Sequence, residues 1–160
     1  MTEAEAAPVT TSPFLRSFYE LVSPDASEKA AGVTGLLDHL RARSEEGEDG
    51  QRSAACVEDI AYTVKRLVRG LCSSRASARQ GFAAALVRVL CTFPEDTPLA
   101  DVLKQVINAT KPSGSQRGHE DRDQFFGRVF GCMALQRSGR LAEVRHHCCS
   151  SLCIRLVQHA

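Results

Sequence analysis

The segment 143–160 holds the densest set of side chains able to do chemistry. His146, His147, Cys148, Cys149, Cys153 and His159 are all zinc-capable types. Consecutive helical residues point about 100 degrees apart, so the four neighbours 146–149 cannot converge on one ion. His146, Cys149 and Cys153, at spacings of three and four, would share a face and leave one position for another ligand. No paired Cys-x-x-Cys motif supports them, so no metal is assigned and the segment is read as a bland tail.

The acidic candidates fare similarly. Metal-dependent nucleotidyl transfer needs two or more carboxylates held close together beside a phosphate clamp. Glu120, Asp121 and Asp123 form the best cluster, but they open a predicted helix, where negative charge favours the dipole. The glycines of KPSGSQRG, residues 111–118, lack the Gly-Lys-Ser/Thr ending of a nucleotide loop and read as a turn. With no nucleophile and base pair either, the chain is expected to be no enzyme, with no cofactor and no small-molecule substrate.

Basic residues carry more information. Residues 1–59 hold five Lys or Arg against twelve Asp or Glu, a balance of −7; residues 60–160 hold fifteen against seven, a balance of +8. Between Ile60 and Pro94 there are six basic residues and no acidic one. Lys65, Arg66, Arg69, Arg75 and Arg88 are therefore candidate contacts to an acidic partner or to nucleic-acid phosphates. The competing account is a solvated face, or pairing with the acidic half of the chain. No aromatic side chains interleave these arginines, which argues against single-strand stacking. Arg79, at the rim of an apolar stripe, is expected to be a buried structural donor.

The elements that position these residues are helices. Residues 1–12 lack periodicity and read as a flexible tail. Phe14, Leu15, Phe18, Tyr19, Leu21 and Val22 recur at helical spacing and stop at Ser23-Pro24. Asp25, with Glu28 three residues on, opens a second helix lined by Val33, Leu36, Leu37 and Leu40 and ending near Arg43. Residues 44–53, SEEGEDGQRS, read as an acidic solvent loop. A third helix over Ala54–Leu71 puts Val57, Ile60, Ala61, Val64, Leu67, Val68 and Leu71 on its core face, with Lys65, Arg66 and Arg69 opposite. Ser73-Ser74 supplies hydroxyls to a fourth helix lined by Ala78, Phe82, Ala85, Leu86, Val89 and Phe93, which Pro94 stops. Thr97 is a candidate cap for a fifth helix, with Leu99, Val102, Leu103, Val106 and Ile107 recurring, before the basic loop 111–118. A sixth carries Phe125, Phe126, Val129, Phe130 and Met133 on one stripe. Gly127 and Gly131 lie one turn apart in it, each costing about 1 kcal/mol against alanine, which close contact with a neighbouring helix would explain.

At 160 residues and 43% hydrophobic the chain can bury one core. Its longest apolar runs fall far short of the ~20 residues of a membrane span, and the polar, acidic start predicts neither signal peptide nor membrane anchor. Seven scattered cysteines read as small buried hydrophobes in a reducing compartment, cytosol or nucleus. Six or more short helices without strand alternation predict an all-α fold, an armadillo- or HEAT-like helical-repeat fragment over residues 13–142. An irregular helical bundle is the alternative, and no letter-by-letter repeat separates the two.

Two stretches resemble a known family: KRLVRGLCSSRASARQGFAAAL (65–86) and RDQFFGRVFGCMALQRSGRL (122–141). The first combines a basic leucine-rich helix with a Ser-Ser-Arg turn followed by Ala78, Arg79, Gly81 and Phe82. The second is an Arg-Asp-x-Phe-Phe-Gly-Arg-x-Phe-Gly entry containing Phe126, Gly127 and Gly131. In this order they resemble the N-terminal part of the Myb-binding protein 1A family, also called the DNA polymerase V or polymerase phi family. The resemblance covers roughly Phe14 to Ala142, and residues 143–160 diverge from it. It implies an armadillo-like scaffold of the nucleus and nucleolus, acting in ribosomal RNA gene transcription, ribosome biogenesis and transcription co-regulation. Its partners would be transcription factors and nucleolar proteins, with contact of the basic residues to ribosomal DNA or RNA as the alternative. Members are very long chains, so the resemblance also implies a truncated form.

Overall fold

The computed structural model describes residues 12–45, 53–111 and 118–147, with side chains described as far as Val144. Residues 1–11, 46–52, 112–117 and 148–160 lie outside the described residues, and with them most of the expected tails and of both expected loops. Among the described residues the chain is all-α, with helices α1 (Pro13–Glu20), α2 (Ala26–Glu45), α3 (Ala54–Gly70), α4 (Ala76–Thr92), α5 (Leu99–Ala109), α6 (Gly118–Arg137) and α7 (Leu141–His147).

Local chemistry sets most of the boundaries. Pro13 occupies the first turn of α1, where a missing amide hydrogen costs nothing. Asp25 Oδ1 accepts from the amides of Ser27 (2.8 Å) and Glu28 (2.9 Å), capping α2. Its own amide donates to Ser23 Oγ (3.0 Å). Ser53 caps α3 by accepting from the Cys56 amide at 3.2 Å. Two caps differ from expectation. Arg75, not a serine, stands at the start of α4, and Ser73 Oγ accepts the Arg75 amide (3.2 Å) one step earlier. Thr97 is buried and donates to the Phe93 carbonyl (2.6 Å), so it closes the end of α4 rather than opening α5, whose first cap is Pro98.

The helices form antiparallel pairs, α1/α2, α3/α4 and α5/α6, stacked so that α3, α5 and α7 adjoin in one layer and α2, α4 and α6 in the other. Phe14 and Phe18 of α1 meet Tyr62 of α3, with ring centroids 6.1 and 6.2 Å apart, which places α1 in the first layer. Leu21, Leu36, Leu40, Ile60, Leu67, Leu71, Leu86, Val89 and Leu90 fill the space between layers.

The layers approach through glycines. A Cβ on Gly81 of α4 would collide with the Leu21 carbonyl at the end of α1, and one on Gly127 of α6 would lie 3.2 Å from the Leu71 carbonyl and 2.7 Å from Cys72 Sγ at the end of α3. The second approach repeats the first one hairpin later. Phe82 of α4 closes over Gly70, where an added Cβ would meet its ring. Gly131 packs on Val106 of α5.

Two core faces differ from the wheel. In α3 the buried set is Cys56, Ile60, Thr63, Val64, Leu67 and Val68, whereas Val57 and Ala61 are exposed; the true face is rotated toward Thr63, a polar residue that the apolar pattern passes over. In α6 the buried residues are Gly127, Gly131, Ala134 and Leu135, and Phe125, Val129 and Met133 are exposed. Small residues face inward there because α4 and α5 both pack closely on α6.

Arg140 closes the far end. Its guanidinium donates to the carbonyls of Leu90 (2.9 Å), Pro94 (2.8 Å) and Thr97 (3.2 Å) and meets both carboxylate oxygens of Glu143 at 2.8 Å. α7 runs across residue 143, where the sequence suggests a separate tail, and Val144 is buried in the common core.

Three consequences are measurable. Gly81→Ala lowers unfolding free energy by about 2 kcal/mol despite alanine's better helix propensity, since overpacking outweighs it, while Gly118→Ala, in open space, stays within about 0.5 kcal/mol of the parent; urea denaturation compares them. Arg140→Gln costs about 2 kcal/mol in the same assay, because it strips charged donors from three carbonyls. The hydrogen bond from Arg140 also holds the Glu143 carboxyl below its usual range. Such a lowered pKa contributes stability that is present above the unfolded value and lost as pH falls through the folded one. In Arg140→Gln the Glu143 titration, followed by carboxyl NMR, moves up toward that of an ordinary glutamate.

Candidate partner-binding cleft

α3 turns one stripe outward, in which Ala61, Lys65 and Arg69 follow at intervals of four and stand exposed above the buried Val68. α5 lies beside it in the same layer and in the same direction, because Cys72 Sγ, just past the end of α3, reaches the Ala109 carbonyl at the end of α5 (3.6 Å). Between them runs a cleft of about 440 Å³ lined by Ala61, Lys65, Val68 and Arg69 on one wall and Gln105, Asn108 and Ala109 on the other. A second hollow of about 320 Å³ continues from it toward α1 and is lined by Tyr62, Lys65, Arg66 and Arg69.

The members of the basic set have different fates. Arg66 is committed to the fold: its Nη1 donates to Tyr62 Oη at 2.7 Å and its guanidinium sits 4.3 Å from the Phe18 ring centroid, a cation–π contact that fastens α1 to α3. Lys65 and Arg69 make no hydrogen bond or ion pair with any described residue, and neither do the side chains of Gln105 and Asn108. Arg75 is exposed at the α3–α4 turn. Arg88 is exposed on α4, in the opposite layer. The structure thus gathers Lys65, Arg66 and Arg69 and sets Arg75 and Arg88 apart.

Arg79 is buried. Its Nη1 donates to the Ser73 carbonyl (2.6 Å), lies 3.7 Å from Asp123 Oδ1 of α6, and its guanidinium stands 4.8 Å from the Phe126 ring. It joins the turn before α4 to the start of α6. Of the acidic cluster, Asp123 is occupied by this contact and by Arg122 (3.7 Å), and Glu120 and Asp121 lie in the first turn of α6. Among the described residues no three His, Cys, Asp or Glu side chains come together as a metal site. The tail residues Cys148, Cys149, Cys153 and His159 lie outside the described residues. Gln105 and Asn108 escape sequence reasoning because amides spaced by three on an amphipathic helix look like ordinary solvated residues; only the neighbouring cations give them meaning.

Arg66→Gln should therefore lower the melting temperature by several degrees, since it removes the contact to Phe18 and the bond to Tyr62. Lys65→Gln and Arg69→Gln should leave it within about a degree, because neither side chain holds another described residue. Differential scanning calorimetry separates the two classes.

Residues 62–160 match the family model described as DNA polymerase phi, and the match runs on through the segment 143–160. Myb-binding protein 1A of Mus musculus is 32% identical over 130 residues, covering 81% of this chain and 9% of its own. The rDNA transcriptional regulator pol5 of Schizosaccharomyces pombe is 34% identical over 127 residues, 79% of this chain and 12% of its own. Myb-binding protein 1A of Homo sapiens is 31% identical over 130 residues, 81% of this chain and 9% of its own. The chain therefore spans between 9% and 12% of the length of these relatives. No solved structure matches it. A family match over most of the chain and relatives at this identity in two kingdoms agree: the chain belongs to the DNA polymerase phi family.

Proposed function

We propose that this chain is a non-enzymatic scaffold of the nucleus and nucleolus that takes part in the regulation of ribosomal RNA gene transcription, and through it in ribosome biogenesis. It binds protein partners, transcription factors among them, on the outer surface of its helix layers. The observation that carries this reading is the α3/α5 cleft, where Lys65, Arg69, Gln105 and Asn108 present donors and acceptors that hold no other described residue. The direction comes from the relatives, whose names describe one as an rDNA transcriptional regulator and another as a Myb-binding protein.

A second reading is supported by the run of six basic and no acidic residues between Ile60 and Pro94: a module contacting phosphates of ribosomal DNA or RNA. Against it, Arg66 and Arg79 are engaged within the fold and Arg88 faces out from the other layer, so among the described residues of this run no continuous row of cations follows a backbone. The experiment is affinity capture of the tagged chain from nuclear extract with and without nuclease, analysed by mass spectrometry. Transcription and nucleolar proteins are expected to persist after nuclease and to fall away in Lys65→Glu/Arg69→Glu. Their release by nuclease would replace the scaffold reading with the nucleic-acid one.

A further inference from the structure

We infer that the α3/α5 cleft receives an extended acidic peptide whose carboxylates alternate along the chain. This rests on the scaffold reading above and names the ligand of the same site. Lys65 and Arg69 stand four residues apart on α3, about 6 Å along its axis. Alternate residues of an extended chain point to one side at intervals of roughly 6.6 Å. Acidic side chains at i and i+2 thus meet the two cations in register, while the residues between them face the opposite way.

The other wall selects a main chain. Gln105 and Asn108 each offer both donors and an acceptor, the complement of a peptide group, which also carries one of each. A phosphodiester offers acceptors only and would leave the two amide oxygens unmatched. A helical ligand satisfies its own backbone groups and brings a cylinder about 10 Å across, which the amides cannot reach past. The floor, Ala61, Val68 and Ala109, has no long side chain to hold an extended backbone away. The nearest acid on α5, Asp101, is paired with Lys104 at 2.9 Å and so does not oppose an incoming carboxylate.

The test is a fluorescence-anisotropy titration of the purified chain with a labelled peptide of alternating glutamate and serine. The same peptide with glutamine for glutamate, and a labelled DNA duplex, serve as comparisons. The alternating peptide is expected to bind at least about tenfold more tightly than the glutamine peptide. The uncharged double variant Gln105→Ala/Asn108→Ala is expected to weaken it about tenfold while leaving any duplex binding unchanged. Circular dichroism confirms that the variant, altered only at exposed positions, keeps its helices. Equal peptide binding by variant and parent, or tighter binding of the duplex than of the peptide, overturns the inference. Either result leaves the scaffold reading to the nuclease experiment, which uses captured proteins and no peptide.

Discussion

The approach of one helix's glycine to the exposed end of another organises this structure. Gly81 of α4 rests on the Leu21 carbonyl at the end of α1, and Gly127 of α6 rests on Leu71 and Cys72 at the end of α3. A helix end carries carbonyls without intrahelical partners, so covering it with a bulky side chain would bury them unsatisfied. Covering it with a glycine lets polar groups arrive alongside. Ser77 Oγ, one turn before Gly81, donates to the Val22 carbonyl at 3.2 Å. Arg79 performs the same service for Ser73 at the next turn.

That device recurs through the molecule in different chemical forms. Thr97 and Arg140 close the end of α4, at Phe93 and Leu90. The end of α5 is closed by Arg128, whose Nη2 donates to the Thr110 carbonyl (2.8 Å), and by Cys72 at Ala109. Burial raises the Cys72 thiol above its ordinary range, with the Asp123 charge adding to the effect, so it stays a neutral donor there. Ser77, Cys72 and Arg140 thus close helix ends of a neighbouring hairpin, while Arg79 and Arg128 close ends within their own. Where a neighbouring hairpin supplies the closing group, each hairpin gains stability from the interface it shares with the next.

Helix existence and most helix ends were legible in the sequence, because proline, serine and aspartate act locally and the 3.6-residue period survives modest errors. Orientation was less legible. α3 is rotated by one polar residue, Thr63, and α6 is apolar on so many sides that Phe125, Val129 and Met133 outweighed the small residues that actually face inward. One turn recurs in letters: Leu21-x-Ser23-x-x-Ala26-Ser27 returns fifty residues later as Leu71-x-Ser73-x-x-Ala76-Ser77. In both copies the leucine ends the first helix and the serine hydroxyl takes the amide two residues on. Only these four positions recur at the turn, and the residues between them differ. Arg140 gave little local signal, since apart from Glu143 its acceptors are 43 to 50 residues away in the chain.

The cleft follows from the same geometry rather than from any motif. Parallel helices of one layer are held apart by the width of the helix that connects them, and α3 and α5 can close only as far as the side chains between them allow. Ala61 and Ala109 leave that seam shallow and open, where leucines would have sealed it. Long polar side chains along its rims then have nothing within the described fold to bind. Sequence shows which residues are cations; it does not show that Lys65 and Arg69 border an open seam while Arg66, which follows Lys65, is spent on Phe18 and Tyr62. The distinction between a fastening arginine and an available one is made by α1, which crosses beside one turn of α3 and leaves the outer stripe bare.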